Sequence, residues 1–323
     1  MNSFGELILK SANRLYQKIR PSERFIVTNM LAQFSGQEVS NIIAKKLISD
    51  EPTMICRFGM VELYCLLTYY SITQNISIDK KLTNYIKGQS FPFWWDSAII
   101  KEMAKNAGFI NPTTKSLEKF CQLMQEDMKF VDILGSWMQG EELFDQQMPD
   151  AIKVNIWDLE PYKYQNPWSQ YLKDKTILVV HPFEDTIKAQ YKKRKLLFSN
   201  PAVLPEFNLK TIKAVQSIAY NQTRFKDWFE ALDYMKGRIS DTTFDVAIIG
   251  CGAYGFPLAA HVKRIGKKAV HLGGATQILF GIKGKRWEED NYYAENIFNE
   301  HWVRPSKHET PERSSIIEGN CYW

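Results

Sequence analysis

The residues best suited to chemistry are three glycines spaced as Gly250-x-Gly252-x-x-Gly255. They follow the apolar run 245–249 and precede a segment with helical periodicity, so they predict a turn from a buried strand into a helix. Glycines let a backbone approach a pyrophosphate closely, and the first N–H groups of the helix point toward it. We therefore expect these glycines, together with Tyr254, to bind the phosphates of a nucleotide.

The same spacing occurs in proteins that bind dinucleotides, which also need an acidic residue about 20 positions later to hold the adenosine ribose. In this chain the next predicted strand, 268–272, runs into Gly273 and Gly274 and supplies no such acid. An NAD(P)-dependent oxidoreductase is disfavoured but stays an alternative. A second alternative is that the glycines only allow the strand and the helix to pack closely.

A cationic segment follows the second pair of glycines. Lys283, Lys285 and Arg286 are close neighbours in the sequence. Positive charges at a departing diphosphate can do the electrostatic work that a metal ion does in other sites. We expect all three cations, with Gly273 and Gly274, to contact the phosphates of the ligand.

His181, Glu184 and Asp185 follow an apolar run at 176–180 and precede or begin the next predicted helix. One hypothesis makes one of these side chains a catalytic base at the edge of the sheet. The other is that the two carboxylates only stabilise the first turn of the helix through its dipole. Their position in the sequence is compatible with both.

Arg57 and Glu62 flank the turn at the end of the first predicted strand, 53–58. We expect both side chains to point into the crevice that opens where the strand ends. The alternative is an ordinary ion pair on the surface.

These candidate residues need a sheet that brings them together, and the chain alternates strands and helices as a parallel sheet requires. Strands are predicted at 53–58, 131–134, 153–156, 176–181, 211–218, 245–249 and 268–272. Helices are predicted, among other places, at 22–35, 35–49, 79–87, 96–106 and 114–128. The predicted fold class is α/β: a Rossmann-like, mostly parallel sheet with helices on both faces. We divide the chain into a helical N-terminal extension (1–50), an α/β domain (51–298) and a tail (299–323) packed on that domain.

The composition is typical of a globular protein. Of 323 residues, 45% are hydrophobic and 24% are charged, which allows a sizeable core. No apolar run is long enough to span a bilayer and the first residues lack a signal-peptide pattern, so the expected compartment is the cytoplasm. Five scattered cysteines without a C-x-x-C pair indicate neither a disulfide framework nor a zinc site. With a net charge of only +5 and no nucleic-acid-binding motif, we expect no nucleic-acid partner.

A basic amphipathic helix is predicted before residue 20. Its apolar residues recur at helical spacing, whereas its basic residues fall on another face at intervals of four. The apolar set is Leu7, Ile8, Ala12, Leu15 and Ile19, and the basic set is Lys10, Arg14 and Lys18. Two roles are open: the apolar stripe packs on the domain, or the helix lies on an anionic membrane surface.

Several segments resemble one family. RFGMVE at 57–62 is similar to the R-F-G-D-G-E segment of bacterial GT-D-type glycosyltransferases, and the glycine-rich block at 250–274 is similar to that family's second Rossmann-like turn. The resemblance is closer to GT-D fold-like proteins of capsular and O-antigen polysaccharide loci. It rests on GGATQ, FGIKGKRW, WVRP and YW, at 273–277, 280–287, 302–305 and 322–323, and it extends from residue 53 onward.

The resemblance implies a hexosyltransferase-like glycosyltransferase of bacterial cell-surface polysaccharide synthesis. Its donor would be a nucleotide sugar, bound by the glycine turns and the cationic segment. Its acceptor would be a glycan, lipid-linked by analogy with the pathway, which implies a cytoplasmic enzyme in peripheral contact with the inner membrane face. Arg57 and Glu62 would lie at the sugar end of the donor. His181, Glu184 or Asp185 would be the base of an inverting reaction.

One departure from the family concerns a metal ion. The family's D-x-E pair is associated with a divalent cation at the diphosphate, and Met60 occupies the position of its aspartate. A thioether is a poor ligand for Mg²⁺ or Mn²⁺, so Glu62 alone would hold a metal weakly. Three hypotheses remain: the substrate phosphates carry the metal, the cationic segment replaces it, or the protein is a non-catalytic scaffold in polysaccharide assembly. The second is favoured.

Overall fold

The fold is built on one parallel sheet. A computed structural model describes residues 3–20, 32–317 and 319–323. Its strands are β1 (Thr53–Cys56), β2 (Ile133–Ser136), β3 (Ile152–Asn155), β4 (Thr176–His181), β5 (Asn208–Lys213), β6 (Val246–Ile249) and β7 (Lys268–His271). They are ordered β3-β2-β1-β7-β6-β4-β5, and all neighbouring pairs are parallel. The predicted α/β class with a parallel, Rossmann-like sheet is confirmed.

Helices cover both faces of this sheet. The α-helices of the described residues are α1 (Ser3–Ile19), α2 (Gln37–Ile48), α3 (Met60–Thr73), α4 (Ile78–Ile86), α5 (Ser97–Lys105), α6 (Thr114–Met128), α7 (Glu184–Tyr191), α8 (Trp228–Ser240), α9 (Gly255–Arg264), α10 (Ala275–Leu279), α11 (Lys285–Glu288) and α12 (Asn291–Asn296). Short 3-10 helices lie at Glu141–Gln147, Ile156–Leu159, Pro161–Lys163, Trp168–Leu172, Arg194–Leu196, Ile218–Tyr220, Gly252–Tyr254, Lys307–Glu309 and Ser314–Ile316. Helices α3, α6, α8 and α9 pack on one face, and α2, α7 and α10 pack on the other.

The central strands β1 and β6 are buried on both faces, and successive residues enter different cores. In β1, Met54 and Cys56 join the core beneath α3 and α9, whereas Ile55 joins the core beneath α2 and α10. The strand β6 alternates in the same way. This period of two explains why the parallel strands are continuous apolar runs in the sequence.

Most predicted elements agree with the observed ones to within about two residues. The exception is strand 211–218, because β5 starts earlier and ends at Lys213, after which the chain leaves the sheet. Ala219 and Tyr220 take positive φ angles of 60° and 57° in the turn that follows. Helix 35–49 begins at Gln37 after Gly36 (φ 72°) rather than at a serine cap. The helix predicted at 22–35 falls mainly on residues outside the described ranges.

The first helix packs through its polar side. The Lys10 ammonium group lies 2.7 Å from the Asp96 carboxylate at the start of α5. In contrast, Leu7, Leu15 and Ile19 are 63%, 61% and 65% exposed. The hypothesis that the apolar stripe packs on the domain is therefore wrong.

The segment after residue 298 packs on the α/β body. Trp302, Ile317, Cys321 and Trp323 are buried in the core beneath α7 and α10. The Nη1 atom of Arg304 donates a hydrogen bond to the carbonyl oxygen of Trp323 at 2.7 Å, which fixes the end of this segment. The C-terminal part of the chain is thereby a wall of the fold.

Glu309 in this segment caps helix α7. Its carboxylate accepts hydrogen bonds from the backbone N–H of Asp185 at 2.7 Å and from the hydroxyls of Thr186 and Ser306. Glu309 is buried, so these donors replace the water that it loses on folding. A backbone N–H group in the first turn of α7 thus finds its hydrogen-bond acceptor in a residue that is distant in the sequence.

We expect Glu309→Ala to lower the free energy of unfolding by about 1–3 kcal/mol, because it removes a helix cap and leaves buried donors without a partner. Urea denaturation measures the change. Glu312→Ala is the matched control, because Glu312 is exposed in the same segment. Equal stability of the two variants would contradict the capping role.

Candidate functional site

A cavity of about 490 Å³ lies where the strands end, beside β1 and β7. These two strands are neighbours, but the helices that follow them lie on opposite faces of the sheet, α3 on one and α10 on the other. The two connections diverge and open a crevice between them. Such a switch point is where open α/β sheets bind ligands.

The first glycine turn forms the floor of the cavity. Gly250 has no room for a side chain, because a Cβ atom there would lie 2.5 Å from the carbonyl oxygen of Gly273 and 2.6 Å from Oγ1 of Thr276. Gly252 adopts a left-handed φ of 57°, which favours glycine. Tyr254 also lines the cavity, but its ring stacks on Trp228 with centroids 5.0 Å apart. The side chain of Tyr254 therefore holds the turn in place through its contact with Trp228 in the core.

The third glycine of the motif makes room for a histidine. A Cβ atom at Gly255 would lie 2.1 Å from Nε2 of His271. Gly255 is buried at the start of α9 and is not part of the cavity wall. Its absence of a side chain lets His271 occupy the space between α9 and the end of β7.

The second glycine turn lies directly beside the first and also lines the crevice. Gly273 has a φ of 60°, and the guanidinium side chain of Arg57 passes close to its open side, with Cδ 3.6 Å from an added Cβ. At Gly274, an added Cβ would lie 2.9 Å from the ring of Tyr322 and 3.3 Å from that of Trp287. Both glycines line the cavity, as a phosphate-binding turn requires.

Two arginines bring positive charge to the cavity. Arg57 is half-buried, its Nε donates to the carbonyl oxygen of Phe58 at 3.1 Å, and its guanidinium lies 5.1 Å from the ring centre of Trp137. The guanidinium of Arg286 lies 5.0 Å from the ring centre of Tyr322. Burial lowers the pKa of Arg57, and the nearby charge of Arg286 acts in the same direction. A bound anion would relieve this repulsion.

The two lysines of the predicted cationic segment lie outside the cavity wall. The ammonium group of Lys283 lies 3.8 Å from Glu288, and that of Lys285 lies 3.6 Å from Glu289. On the short helix α11, Arg286 and Trp287 turn toward the cavity, whereas Lys285 faces its ion-pair partner. Of the three cations, Arg286 alone lines the cavity.

Glu62 lies in the first turn of α3 and lines the cavity at 8% exposure. Its carboxylate folds back on Gly59, where an added Cβ would lie 2.0 Å from Oε2. Burial raises the pKa of Glu62, and its own backbone N–H and the charge of Arg57 partly offset this effect. Met60 also lines the cavity and is half exposed, so a thioether stands beside the carboxylate.

Two buried histidines flank the floor of the cavity, His181 at the end of β4 and His271 at the end of β7. Burial lowers the pKa of each to about 3, so both are neutral near pH 7. Nδ1 of His181 accepts a hydrogen bond from the N–H of Phe183 at 3.0 Å, which leaves the proton on Nε2. Nδ1 of His271 is buried without a hydrogen-bond partner among the described residues.

The carboxylates of Glu184 and Asp185 do not line this cavity. Glu184 accepts a hydrogen bond from the hydroxyl of Thr211 at 2.6 Å and lies 2.9 Å from the ammonium group of Lys188. Asp185 is exposed, and its carboxylate lies 3.1 Å from Nε2 of His308. Because α7 begins after Phe183, the strand end delivers His181 to the cavity and the helix turns the two acids away.

Several residues of the cavity wall were not predicted as site residues. They come from loops and from the C-terminal segment, and they include Asn106, Trp137, Trp157, Gln216, Ser217, His271, Tyr322 and Trp323. Only His271 had a local signal, because it ends a predicted strand beside the second glycine turn. The others reach the cavity through tertiary packing, for which a single sequence carries no pattern.

The residues of the cavity fit a resident divalent cation poorly. In the D-x-E position, Met60 supplies sulfur where Mg²⁺ or Mn²⁺ prefers oxygen, and Glu62 is the one carboxylate of the segment. Within the described ranges, the one cluster of three close metal-ligating side chains is Asp185, His308 and Glu309. That cluster lies outside the cavity, and Glu309 is committed to capping α7. We therefore assign no metal ligands.

Comparison with known proteins finds no matching family model, no matching curated protein and no matching solved structure. In the part of the chain that the structure describes, no helix combines the length and apolar character needed to cross a lipid bilayer. The functional inference therefore rests on the cavity and on the sequence resemblance.

The buried histidines predict a pH dependence of stability. The unfolded chain binds a proton at each histidine near pH 6.5, whereas the folded protein does so only near pH 3. The free energy of unfolding should therefore fall as pH drops below about 6.5, by up to about 1.4 kcal/mol per pH unit for each histidine. The variants His181→Gln and His271→Gln should each remove the contribution of one histidine to the change of unfolding free energy with pH. Urea denaturation between about pH 4 and pH 7 measures it.

His308→Gln is the control for this experiment, because His308 is exposed and lies outside the cavity. This variant measures how much an exposed histidine outside the cavity contributes to the pH dependence of the unfolding free energy. If both cavity variants keep the full slope of the unchanged protein, the two side chains are solvated rather than buried, and their assignment to the cavity floor fails.

Proposed function

We propose that the protein is a glycosyltransferase that uses a nucleotide-sugar donor in bacterial cell-surface polysaccharide synthesis. The observation that supports this most is the convergence of two glycine turns and two arginines on one cavity at the switch point of the sheet. Glycine turns admit a diphosphate close to the backbone, and Arg57 and Arg286 supply positive charge for it. The family resemblance supplies the chemical class of the ligand.

In the proposed reaction, the acceptor hydroxyl attacks the anomeric carbon while the bond from that carbon to the phosphate oxygen breaks. The nucleoside diphosphate leaves with the bonding electrons, and Arg57 and Arg286 stabilise the charge that develops on it. The hydroxyl proton passes to a base of the protein. These two arginines take the electrostatic role that we expected of the whole cationic segment.

Glu62 is the base that we propose for an inverting reaction. Nδ1 of His181 is occupied by a hydrogen bond and its Nε2 carries the proton, so this ring is a donor suited to an oxygen of the ligand. Burial raises the pKa of Glu62, which makes its carboxylate a stronger base. Glu184 and Asp185, the other candidates, lie outside the cavity.

A non-catalytic scaffold that keeps the fold is the second candidate, and Met60 beside Glu62 is the observation that favours it. The oxidoreductase alternative lacks such support, because Gly273 and Gly274 follow β7 where a ribose-binding acid would lie. We further propose that the enzyme works in the cytoplasm on a lipid-linked glycan acceptor. Enzymatic turnover separates these candidates.

The first test compares two neighbouring cations. Arg286→Met should raise the dissociation constant of UDP, GDP or CDP, whichever binds best, by about tenfold or more, because it removes a charged hydrogen-bond donor from the cavity. Lys285→Met is the matched control, since Lys285 pairs with Glu289 outside the cavity, and should change affinity less than twofold. Isothermal titration calorimetry measures both.

Two results would contradict this assignment. One is an equal loss of affinity in the two variants, which would show only an effect of net charge. The other is thermal stabilisation by NADH without stabilisation by any nucleoside diphosphate or nucleotide sugar, which would move the ligand to the dinucleotide class.

The second test concerns the base. Glu62→Gln should lower the rate of nucleoside diphosphate release from the donor by about a hundredfold or more, since general-base catalysis is worth that much. Its melting temperature should stay the same or rise, because the change removes a buried charge and little volume. The assay measures release with a panel of nucleotide sugars and glycan acceptors.

Glu184→Gln and Asp185→Asn are the controls for this test, as carboxylates near the strand end but outside the cavity. They should retain nearly full activity. If Glu62→Gln is fully active and Glu184→Gln is inactive, the base lies on α7 and the assignment of Glu62 is wrong.

A further inference from the structure

The helix α1 is held to the protein by its polar side. Lys10 forms an ion pair with Asp96 at 2.7 Å. Nδ2 of Asn13 donates to the carbonyl oxygen of Tyr85 at 2.6 Å, and Nε2 of Gln17 donates to that of Lys87 at 2.7 Å. The spacing of residues 10, 13 and 17 puts these contacts on one side of the helix.

The opposite side of α1 is apolar and faces outward. Its large side chains are more than half exposed, and they are Phe4, Leu7, Ile8, Leu15 and Ile19. Residues 4, 8, 15 and 19 follow the spacing of one helix face. This orientation is the reverse of the usual one, in which a surface helix turns its apolar side to the core. We call these five residues the outer stripe.

Cations border the outer stripe. Arg14 and Lys18 are exposed, and they continue the four-residue row that starts at Lys10 toward the edge of the outer stripe. The single acid of the helix, Glu6, is half-buried. An apolar row with cations along its side is complementary to an anionic phospholipid surface, where the apolar side chains enter the acyl boundary and the cations meet the phosphates.

We propose that α1 docks the protein on an anionic lipid surface through the outer stripe, with Arg14 and Lys18 on the lipid phosphates. The inference rests on the orientation of the helix and not on the transfer reaction. It also changes the set of contributing cations, because Lys10 is held by Asp96 and the other two basic residues remain exposed.

A second copy of the chain fits the outer stripe less well. A coiled-coil seam needs apolar residues at alternating steps of three and four, and in α1 the residues with that spacing are Ile8, Ala12, Leu15 and Ile19. Within α1 they cover fewer than about two heptads, whereas a coiled coil sustains about three to four. Two copies in register would also bring like charges together, whereas anionic lipid would neutralise them.

The docked helix is connected to the cavity. Asp96, the partner of Lys10, caps the start of α5 by accepting from the N–H of Ala98 at 2.9 Å. At the other end of α5, Glu102 and Asn106 line the cavity. From Asp96 to Asn106 the chain rises along this helix by about 15 Å, so the proposed lipid surface and the cavity wall are joined by one short helix.

Vesicle flotation tests the proposal. At low salt the full chain should float with vesicles of phosphatidylglycerol and phosphatidylcholine, stay at the bottom with pure phosphatidylcholine, and be released at about 0.5 M salt. The variant Arg14→Glu with Lys18→Glu should bind at least about tenfold more weakly, since each cation near such a surface is worth about fivefold. The variant Leu7→Ser, Leu15→Ser and Ile19→Ser should lose binding to a similar or greater extent.

Each variant has a matched control. Lys192→Glu with Lys193→Glu makes the same change in net charge on another exposed surface. Ile48→Ser, Leu196→Ser and Ile265→Ser replaces three exposed apolar residues on elements other than α1 and α4. Both controls should float like the unchanged protein, and all variants should keep its melting temperature.

Three results would overturn the proposal. The unchanged protein could fail to float with anionic vesicles at low salt. The controls could lose as much binding as the α1 variants. Sedimentation could show that the unchanged protein is a dimer, that the outer-stripe variant is a monomer, and that neither binds lipid. This result would assign the surface to a second copy. None of these results depends on glycosyl transfer.

Discussion

The contact between the two glycine turns is the constraint on which the cavity depends. The strands β6 and β7 are hydrogen-bonded neighbours, so the turns that follow them start side by side. Gly250 approaches the carbonyl oxygen of Gly273 so closely that one methyl group would force them apart. The same atom would lie 2.8 Å from the ring of His181. The position of the histidine, the width of the crevice and the approach of a ligand to the backbone are therefore set by one missing side chain.

Burial acts against the charged form of four ionisable groups of this cavity. It lowers the pKa of Arg57, His181 and His271 and raises that of Glu62. The histidines respond by staying neutral, but Arg57 keeps its proton and is repelled by Arg286. The cavity is lined by two arginines, Arg57 and Arg286, and by three carboxylates, Glu62, Glu102 and Glu160. Burial opposes the ionisation of Glu62, whereas Glu102 and Glu160 lie 3.9 Å and 2.8 Å from the ammonium groups of Lys105 and Lys163. An anionic ligand beside Arg57 would favour the charged form of its guanidinium, which burial opposes.

The sequence predicts local structure well here, and tertiary orientation less well. Strand positions follow from apolar runs, and their parallel arrangement brings Arg57, Glu62, His181 and the glycine turns together because all of them sit at strand ends. Periodicity also finds α1, but it does not specify which face meets the protein. On α11 the same ambiguity separates Arg286 from Lys285, which are adjacent in sequence. Local sequence patterns do not predict the aromatic residues of the cavity wall, because these residues come together only in the folded chain. They are Trp137, Trp157, Tyr322 and Trp323.

The C-terminal segment makes the cavity a product of the whole fold. The carbonyl oxygen of Tyr322 accepts a hydrogen bond from Nε2 of Gln277 at 3.2 Å, directly after the second glycine turn. Trp323 lines the cavity, and its indole N–H donates to the carbonyl oxygen of Glu309, the residue that caps α7. The part of the cavity wall beside Arg286 is thus tied to the helix that follows His181. A ligand that contacts both the C-terminal segment and the glycine turns would stabilise this closure of the chain. By the same coupling, a change that loosens the segment would weaken the binding of that ligand by an equal free energy.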